Sequence, residues 1–143
     1  MSGFFYTPLT KKALALSFEV HQFQRDKGGL PYVFHPFHLA EQMDTEAEIC
    51  TALLHDVIED SGYTLDDLRA MGFPEAVLEA LALLTHDEGT PYLDYVARLR
   101  SNPIARKVKR ADLAHNSDEA RLDWVGPADR QRLEKYRSAA ELL

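Results

Sequence analysis

Residues 45–60, Thr-Glu-Ala-Glu-Ile-Cys-Thr-Ala-Leu-Leu-His-Asp-Val-Ile-Glu-Asp, carry the reading on which the fold turns. Thr45 is a good N-cap and Glu48 follows three positions on, the spacing of a capping box that satisfies two backbone N–H groups at a helix start. Ile49, Cys50, Ala52, Leu53 and Leu54, then Val57 and Ile58, recur at helical spacing and leave only a narrow polar wedge. One helix over 45–60, buried around most of its circumference, is the expectation. Cys50 lies on its apolar face; as the single cysteine it cannot form an internal disulfide, and with no basic neighbour it reads as an inert buried thiol.

The wedge holds four ionisable groups. His55 and Glu59 are four apart, as are Asp56 and Asp60, so two polar columns lie side by side on one helix. A histidine nitrogen and an aspartate oxygen form a mixed donor pair acceptable to Mn²⁺, Fe²⁺ or Zn²⁺, and adjacent residues reach one ion from a single turn. Glu59 and Asp60, one turn on, are the catalytic candidates, placed to accept a proton from water or to aim it. A second His-Asp pair, His86-Asp87, is followed at once by Glu88, Gly89 and Pro91, so no carboxylate column can continue from it; it reads as a capping or loop feature.

Working outward, apolar residues keep helical spacing throughout and no alternating strand is visible, which makes the fold class all-α. Helices are expected from about Pro8 to Phe23, from Pro36 as a first helical residue, from Thr64 with Asp67 repeating the capping signature, from Pro74 to about Leu84, and over Pro91–Arg100, Asn102–His115 and Pro127–Leu142. Asp26 to Pro31, with Gly28 and Gly29, breaks the first helix into a loop. The 143 residues suit a single domain, 1–143, with a real hydrophobic core.

A net charge of −7 provides no basic stripe, which argues against a nucleic-acid polymer as partner and leaves a small anionic substrate met by local cations. No apolar run reaches membrane-span length, and the opening MSGFFYTPLTKK lacks the cationic start and apolar stretch of a leader, so no membrane partner and a cytoplasmic location are expected. A metal site in a helical bundle draws ligands from several helices. His35, beside Pro36, and Asp112, on the inward stripe of Val108, Ala111 and Ala114 or His115, are the chosen partners of the His55-Asp56 pair, with His38 competing for the place of His35. A buried carboxylate at 112 requires a cation or metal facing it. Lys27, Lys109 and Arg110 are candidate phosphate contacts, and His21 and Gln24 could line the cleft.

Three blocks in fixed order span about Phe18 to Ser117: Gln24-x-Asp26-Lys27-x-Gly29-x-Pro31-Tyr32-x-x-His35-Pro36, Ala52-Leu53-Leu54-His55-Asp56-Val57-Ile58-Glu59-Asp60, and Val108-Lys109-Arg110-Ala111-Asp112-Leu113-Ala114-His115-Asn116. Together they resemble the hydrolase domain of RelA/SpoT-type alarmone enzymes and the small stand-alone alarmone hydrolases. The resemblance implies an HD-domain helical bundle that removes pyrophosphate from the 3′ position of ppGpp or pppGpp with one divalent metal, Mn²⁺ first and Fe²⁺, Zn²⁺ or Mg²⁺ as alternatives. It implies His35, His55, Asp56 and Asp112 as ligands, Glu59 and Asp60 as the acidic pair handling water, and Asn116 as a substrate residue; Lys27 and Lys109, read above as phosphate contacts, and Arg25 complete the expected substrate-binding set. The chain departs from the family in two places: Asp26 stands where the family carries a guanine-stacking arginine, with Arg25 one residue off, and Leu113 replaces an arginine. Weak base selectivity is the expectation that follows. Another nucleotide phosphate as substrate, or a non-catalytic nucleotide-binding module, are the competing readings.

Overall fold

The computed structural model describes residues 3–143; Met1 and Ser2, the first two residues of the opening read for a leader, lie outside it. The described residues form nine α-helices and no strand: α1 Pro8–His21, α2 Phe34–Glu41, α3 Glu46–Leu54, α4 Val57–Asp60, α5 Leu65–Ala70, α6 Glu75–Leu84, α7 Tyr92–Arg98, α8 Pro103–Asn116 and α9 Pro127–Glu141. The all-α expectation holds. The capping boxes at Thr45–Glu48 and Thr64–Asp67 form as read, Asn102 caps α8 through the Ala105 N–H, and Pro103 and Pro127 occupy first helical positions. No helix is long and apolar enough to cross a membrane among the described residues.

The centre is α3. Ile49 to Leu54 are fully buried, and α1, α2, α6 and α8 pack around them. Cys50 is among these residues; burial raises its thiol to about 12, as an inert core thiol requires. Surrounding a short apolar helix on every side fixes where its C-terminal end emerges, and that end carries the His-Asp pair.

Three expectations need correction. The single helix over 45–60 is two, α3 and α4, with His55 and Asp56 in the joint. The His55 ring donates from Nδ1 to the Ala52 carbonyl at 2.7 Å, taking the acceptor that the Asp56 N–H would need to continue the helix. Asp56 accordingly adopts φ −108°, ψ 1°, the bridge region. The next helix begins at Phe34 rather than Pro36, so His35 lies within the first turn of α2; Pro36 is tolerated there because first-turn N–H groups have no intrahelical acceptor. Helix α1 ends at His21, two residues early, where Gln24 to Pro31 turn into a hairpin-like loop held by a bridge between Arg25 and Pro31.

Candidate metal centre and active site

Three helix-end positions and one mid-helix residue converge. His35 comes from the start of α2, His55 and Asp56 from the α3–α4 joint, and Asp112 from the third turn of α8. The ligand atoms of His35, His55 and Asp56 all lie within 4.8 Å of one another. Asp112 joins them through Oδ1, 2.8 Å from His35 Nε2 and 3.6 Å from His55 Nε2. All four expected ligands thus meet. His38 does not: its ring lies against His115, with 4.2 Å between centroids.

His55 Nε2 is the informative atom. It is buried and makes no aligned hydrogen bond, although Asp56 Oδ2 lies 3.1 Å away and Asp112 Oδ1 3.6 Å away. A buried polar atom without a partner is costly. With Nδ1–H committed to the Ala52 carbonyl, the lone pair at Nε2 faces two carboxylates, which is the donor arrangement a cation accepts. The electrostatics show that this position favours positive charge: burial would lower the pKa of His55, but Asp56 and Asp112 overcome it and raise the pKa well above the ordinary histidine value, so that without a metal a proton occupies the Nε2 site that a cation would take. Asp56 falls to about 2 because His55 outweighs its burial, and Asp112 is held well below the usual range because Lys109, His35 and His55 outweigh its own.

Neighbouring side chains hold this cluster. The Tyr32 hydroxyl donates to Asp56 Oδ2. Asn116 Nδ2 donates to Asp112 Oδ1 at 3.0 Å, and Lys109 Nζ donates to Asp112 Oδ2 at 3.0 Å. Asn116, expected to contact substrate, therefore orients a candidate ligand while also lining the adjacent cleft. Lys109 is not a solvated surface cation: burial opposes its charge, Asp112 restores it, and its ammonium lies 5.3 Å from the centre of the Tyr95 ring. Arg110 lines different grooves, apart from the cluster.

Glu59 and Asp60 project from α4. Burial, with Asp56 and Asp60 nearby, raises the Glu59 pKa, and burial with Asp56 raises that of Asp60. The second His-Asp pair has a use that its sequence does not reveal. His86 follows α6 in a loop where its backbone N–H donates to Glu59 Oε1 at 2.6 Å, its ring stacks on Tyr95 and its Nε2 meets the Thr90 carbonyl. This pair holds no candidate ligand; it anchors a carboxylate. On the other side, Gln24 Oε1 accepts from buried His21 Nδ1 at 2.9 Å, and Gln24 Nε2 donates to Asp60 Oδ2 at 3.4 Å. An amide oxygen can only accept, so the His21 proton sits on Nδ1 in this contact.

Two cavities adjoin. A small one of 130 Å³ is walled by His55, Asp56, Glu59, His86, Lys109 and Asp112, together with Leu84 and two tyrosines. A larger one of 310 Å³ includes Arg25, Lys27, Tyr32, Asn116, Arg121 and Tyr136 in its lining. Bonds from Tyr32 to Asp56 and from Asn116 to Asp112 span the wall between them. Arg25 and Lys27 thus border a cleft beside the candidate ligand cluster. Asp26, which stands where the family carries an arginine, is itself paired. Its carboxylate accepts from Arg121 Nη2 at 2.9 Å and from the amides of Gly28 and Leu30, so it is neutralised rather than free to repel a phosphate. A register shift that would bring Arg25 into its place is blocked: a Cβ on Gly28 would stand 2.0 Å from the Arg121 carbonyl oxygen, and Arg25 Nη1 is engaged with the Gly29 carbonyl.

No family model matches the chain. Among curated proteins, it is 32% identical over 135 residues to the human guanosine-3′,5′-bis(diphosphate) 3′-pyrophosphohydrolase MESH1, covering 85% of this chain and 74% of the relative. It is 31% identical over 134 residues to the mouse protein of that name, with the same coverage. Its fold matches a solved structure described as a metazoan ortholog of SpoT that hydrolyses ppGpp and plays a role in starvation responses, with a TM-score of 0.78, 19% identity, and coverage of 96% of this chain and 85% of the other. Identity above 30% across most of both chains, on a fold shared almost end to end, makes this chain a member of the MESH1-type guanosine-3′,5′-bis(diphosphate) 3′-pyrophosphohydrolase family.

Proposed function

We propose that the protein hydrolyses the 3′-pyrophosphate of guanosine polyphosphates such as ppGpp, using one divalent cation held by His35, His55, Asp56 and Asp112. The observation that carries this reading is the buried, unpartnered His55 Nε2 facing two carboxylates. Two imidazole nitrogens and two carboxylate oxygens form a mixed donor set acceptable to Mn²⁺, Fe²⁺ or Zn²⁺; Mn²⁺ is the first choice on the family resemblance alone, with Mg²⁺ a further alternative. A cation bound there neutralises phosphoryl charge and lowers the pKa of water from about 15.7 towards about 7.

The chain's own residues do the remainder. Glu59 Oε1 is occupied by the His86 amide, which leaves Oε2 to take the proton of the attacking water, with Asp60 orienting that water from the next position. Lys109, buried between Asp112 and the tyrosines, supplies fixed positive charge at the wall of the small cavity, where a phosphoryl group would sit. Arg25, Lys27 and Arg121 line the larger cavity, sized for the nucleoside part, with Asn116 at the join. Water adds to the 3′-linked phosphorus and the bond to the ribose oxygen breaks, so ppGpp gives GDP and pyrophosphate. Incubating the chain with Mn²⁺ and a nucleotide panel tests the reading: pyrophosphate and GDP are expected from ppGpp. Turnover of a different nucleotide phosphate alone would reassign the substrate, and Mn²⁺ binding with no turnover would leave a binding module.

A further inference from the structure

The two candidate histidine ligands are held in different ways. His55 donates from Nδ1 to a backbone carbonyl, which can only accept, so its tautomer is set by the main chain. His35 has no such carbonyl. Its Nδ1 lies 2.7 Å from Nδ1 of His115, and the two rings are within 8° of coplanar with centroids 5.0 Å apart. Rings in those positions meet edge to edge through their nitrogens, the geometry of an imidazole–imidazole hydrogen bond and not of a face-to-face stack.

We propose that His115 is a positioning residue for His35: its Nδ1 accepts the His35 Nδ1–H and thereby presents His35 Nε2, lone pair outward, to the divalent cation. The inference rests on the metal reading given above. One proton lies between the two Nδ1 atoms, so one ring donates and the other accepts. Without a cation, His35 Nε2 keeps its proton and donates to Asp112 Oδ1 at 2.8 Å, which makes His35 Nδ1 the acceptor and His115 the donor. With a cation at Nε2, the His35 proton resides on Nδ1, and His115 carries its own on Nε2. Both rings exchange tautomers together when the metal enters.

His115 is well held for this task. It lies in the last turn of α8, its carbonyl accepts from Arg121 Nη1 at 2.8 Å, and the His38 ring packs on it with centroids 4.2 Å apart. The same helix turn supplies Asn116, which bonds Asp112, so consecutive residues 115 and 116 orient two different candidate ligands. Partners of this kind commonly set metal affinity by about 10- to 100-fold.

The test uses the full chain and Mn²⁺ alone, with free Mn²⁺ read by electron paramagnetic resonance. His115→Phe keeps a ring but cannot accept; it is expected to weaken Mn²⁺ binding by about 10- to 100-fold, with the helical signal and melting transition retained. His115→Gln, which restores an acceptor oxygen, should recover most of that loss. Imidazole ¹⁵N spectra of the wild type should show the protonated nitrogen of His35 moving from Nε2 to Nδ1, and that of His115 from Nδ1 to Nε2, on addition of diamagnetic Zn²⁺. Equal Mn²⁺ affinity in wild type and His115→Phe overturns this inference alone. Failure of the wild type to bind Mn²⁺ at all overturns the metal reading with it.

Discussion

Asp112 and Lys109 form a buried pair whose two members should respond very differently to removal. Their side chains are only 9% and 12% exposed, and Nζ lies 3.0 Å from Oδ2. Asp112 has further partners: His35 Nε2 at 2.8 Å, Asn116 Nδ2 at 3.0 Å and His55 Nε2 at 3.6 Å. Lys109 has this one carboxylate and two aromatic faces at 5.3 and 5.6 Å. Asp112→Asn takes the paired carboxylate from a buried ammonium and leaves the more distant Glu59 charge and the two aromatic faces to offset it, and breaking a buried pair from one side costs about 3–5 kcal/mol. Lys109→Met leaves a carboxylate still met by an amide and two histidines, so the loss should stay near that of a hydrogen bond to a charged group, about 1.5–3 kcal/mol. Urea denaturation of the metal-free variants measures both. Adding Mn²⁺ should then separate them again: Lys109→Met keeps a metal-dependent rise in midpoint, whereas Asp112→Asn, short of a ligand, loses it. An Asp112→Asn variant destabilised by less than Lys109→Met, or one that Mn²⁺ still stabilises fully, would refute this assignment of charges.

Glu59→Gln should lower turnover by about 10²- to 10⁴-fold while leaving Mn²⁺ affinity intact, the range for loss of a positioned base. Because burial and the Asp56 and Asp60 carboxylates raise the Glu59 pKa above the ordinary 4.5, wild-type kcat should fall as pH drops through a value above that figure. An unchanged acid limb in the Gln variant would move the role to Asp60. Base selectivity should be weak, since Asp26 is locked to Arg121 and offers no stacking cation; the missing stack is worth about 0.5–2 kcal/mol, or about 2- to 30-fold, between ppGpp and ppApp under matched Mn²⁺. Strong guanine preference that survives Arg25→Ala would contradict that reading of the cleft.

Local signals make much of the fold legible. Capping boxes at Thr45 and Thr64 and prolines at 103 and 127 act within one helical turn, so the sequence alone marks those helix starts. His55, Asp56 and Asp112 are legible too, as ligand-type side chains set into apolar helices that must find a charge partner or a cation, whereas His35 is singled out chiefly by the matched block from Gln24 to Pro36. What escapes the sequence depends on burial or on distant partners. The break between α3 and α4 exists because the His55 ring competes for a main-chain carbonyl, which no periodicity records. Asp26 and Arg121 are 95 positions apart, and His35 and His115 are 80 apart, so their pairing follows from the meeting of the α1–α2 loop with the segment after α8 and from the packing of α2 against α8. His86-Asp87 looks inert as a dipeptide, and its backbone N–H matters only because the α6–α7 loop folds over Glu59.

Metal analysis of the wild type and His55→Ala, each loaded with Mn²⁺ and then desalted, tests the central claim most directly. His55 supplies the one buried ligand atom in the cluster with no other partner, and three remaining protein ligands leave water to fill its place. About one Mn²⁺ per wild-type chain is expected under four-ligand coordination, with its near-complete loss, and the loss of pyrophosphate release from ppGpp, in His55→Ala. Retention of stoichiometric, tightly bound Mn²⁺ by His55→Ala would contradict the proposed centre.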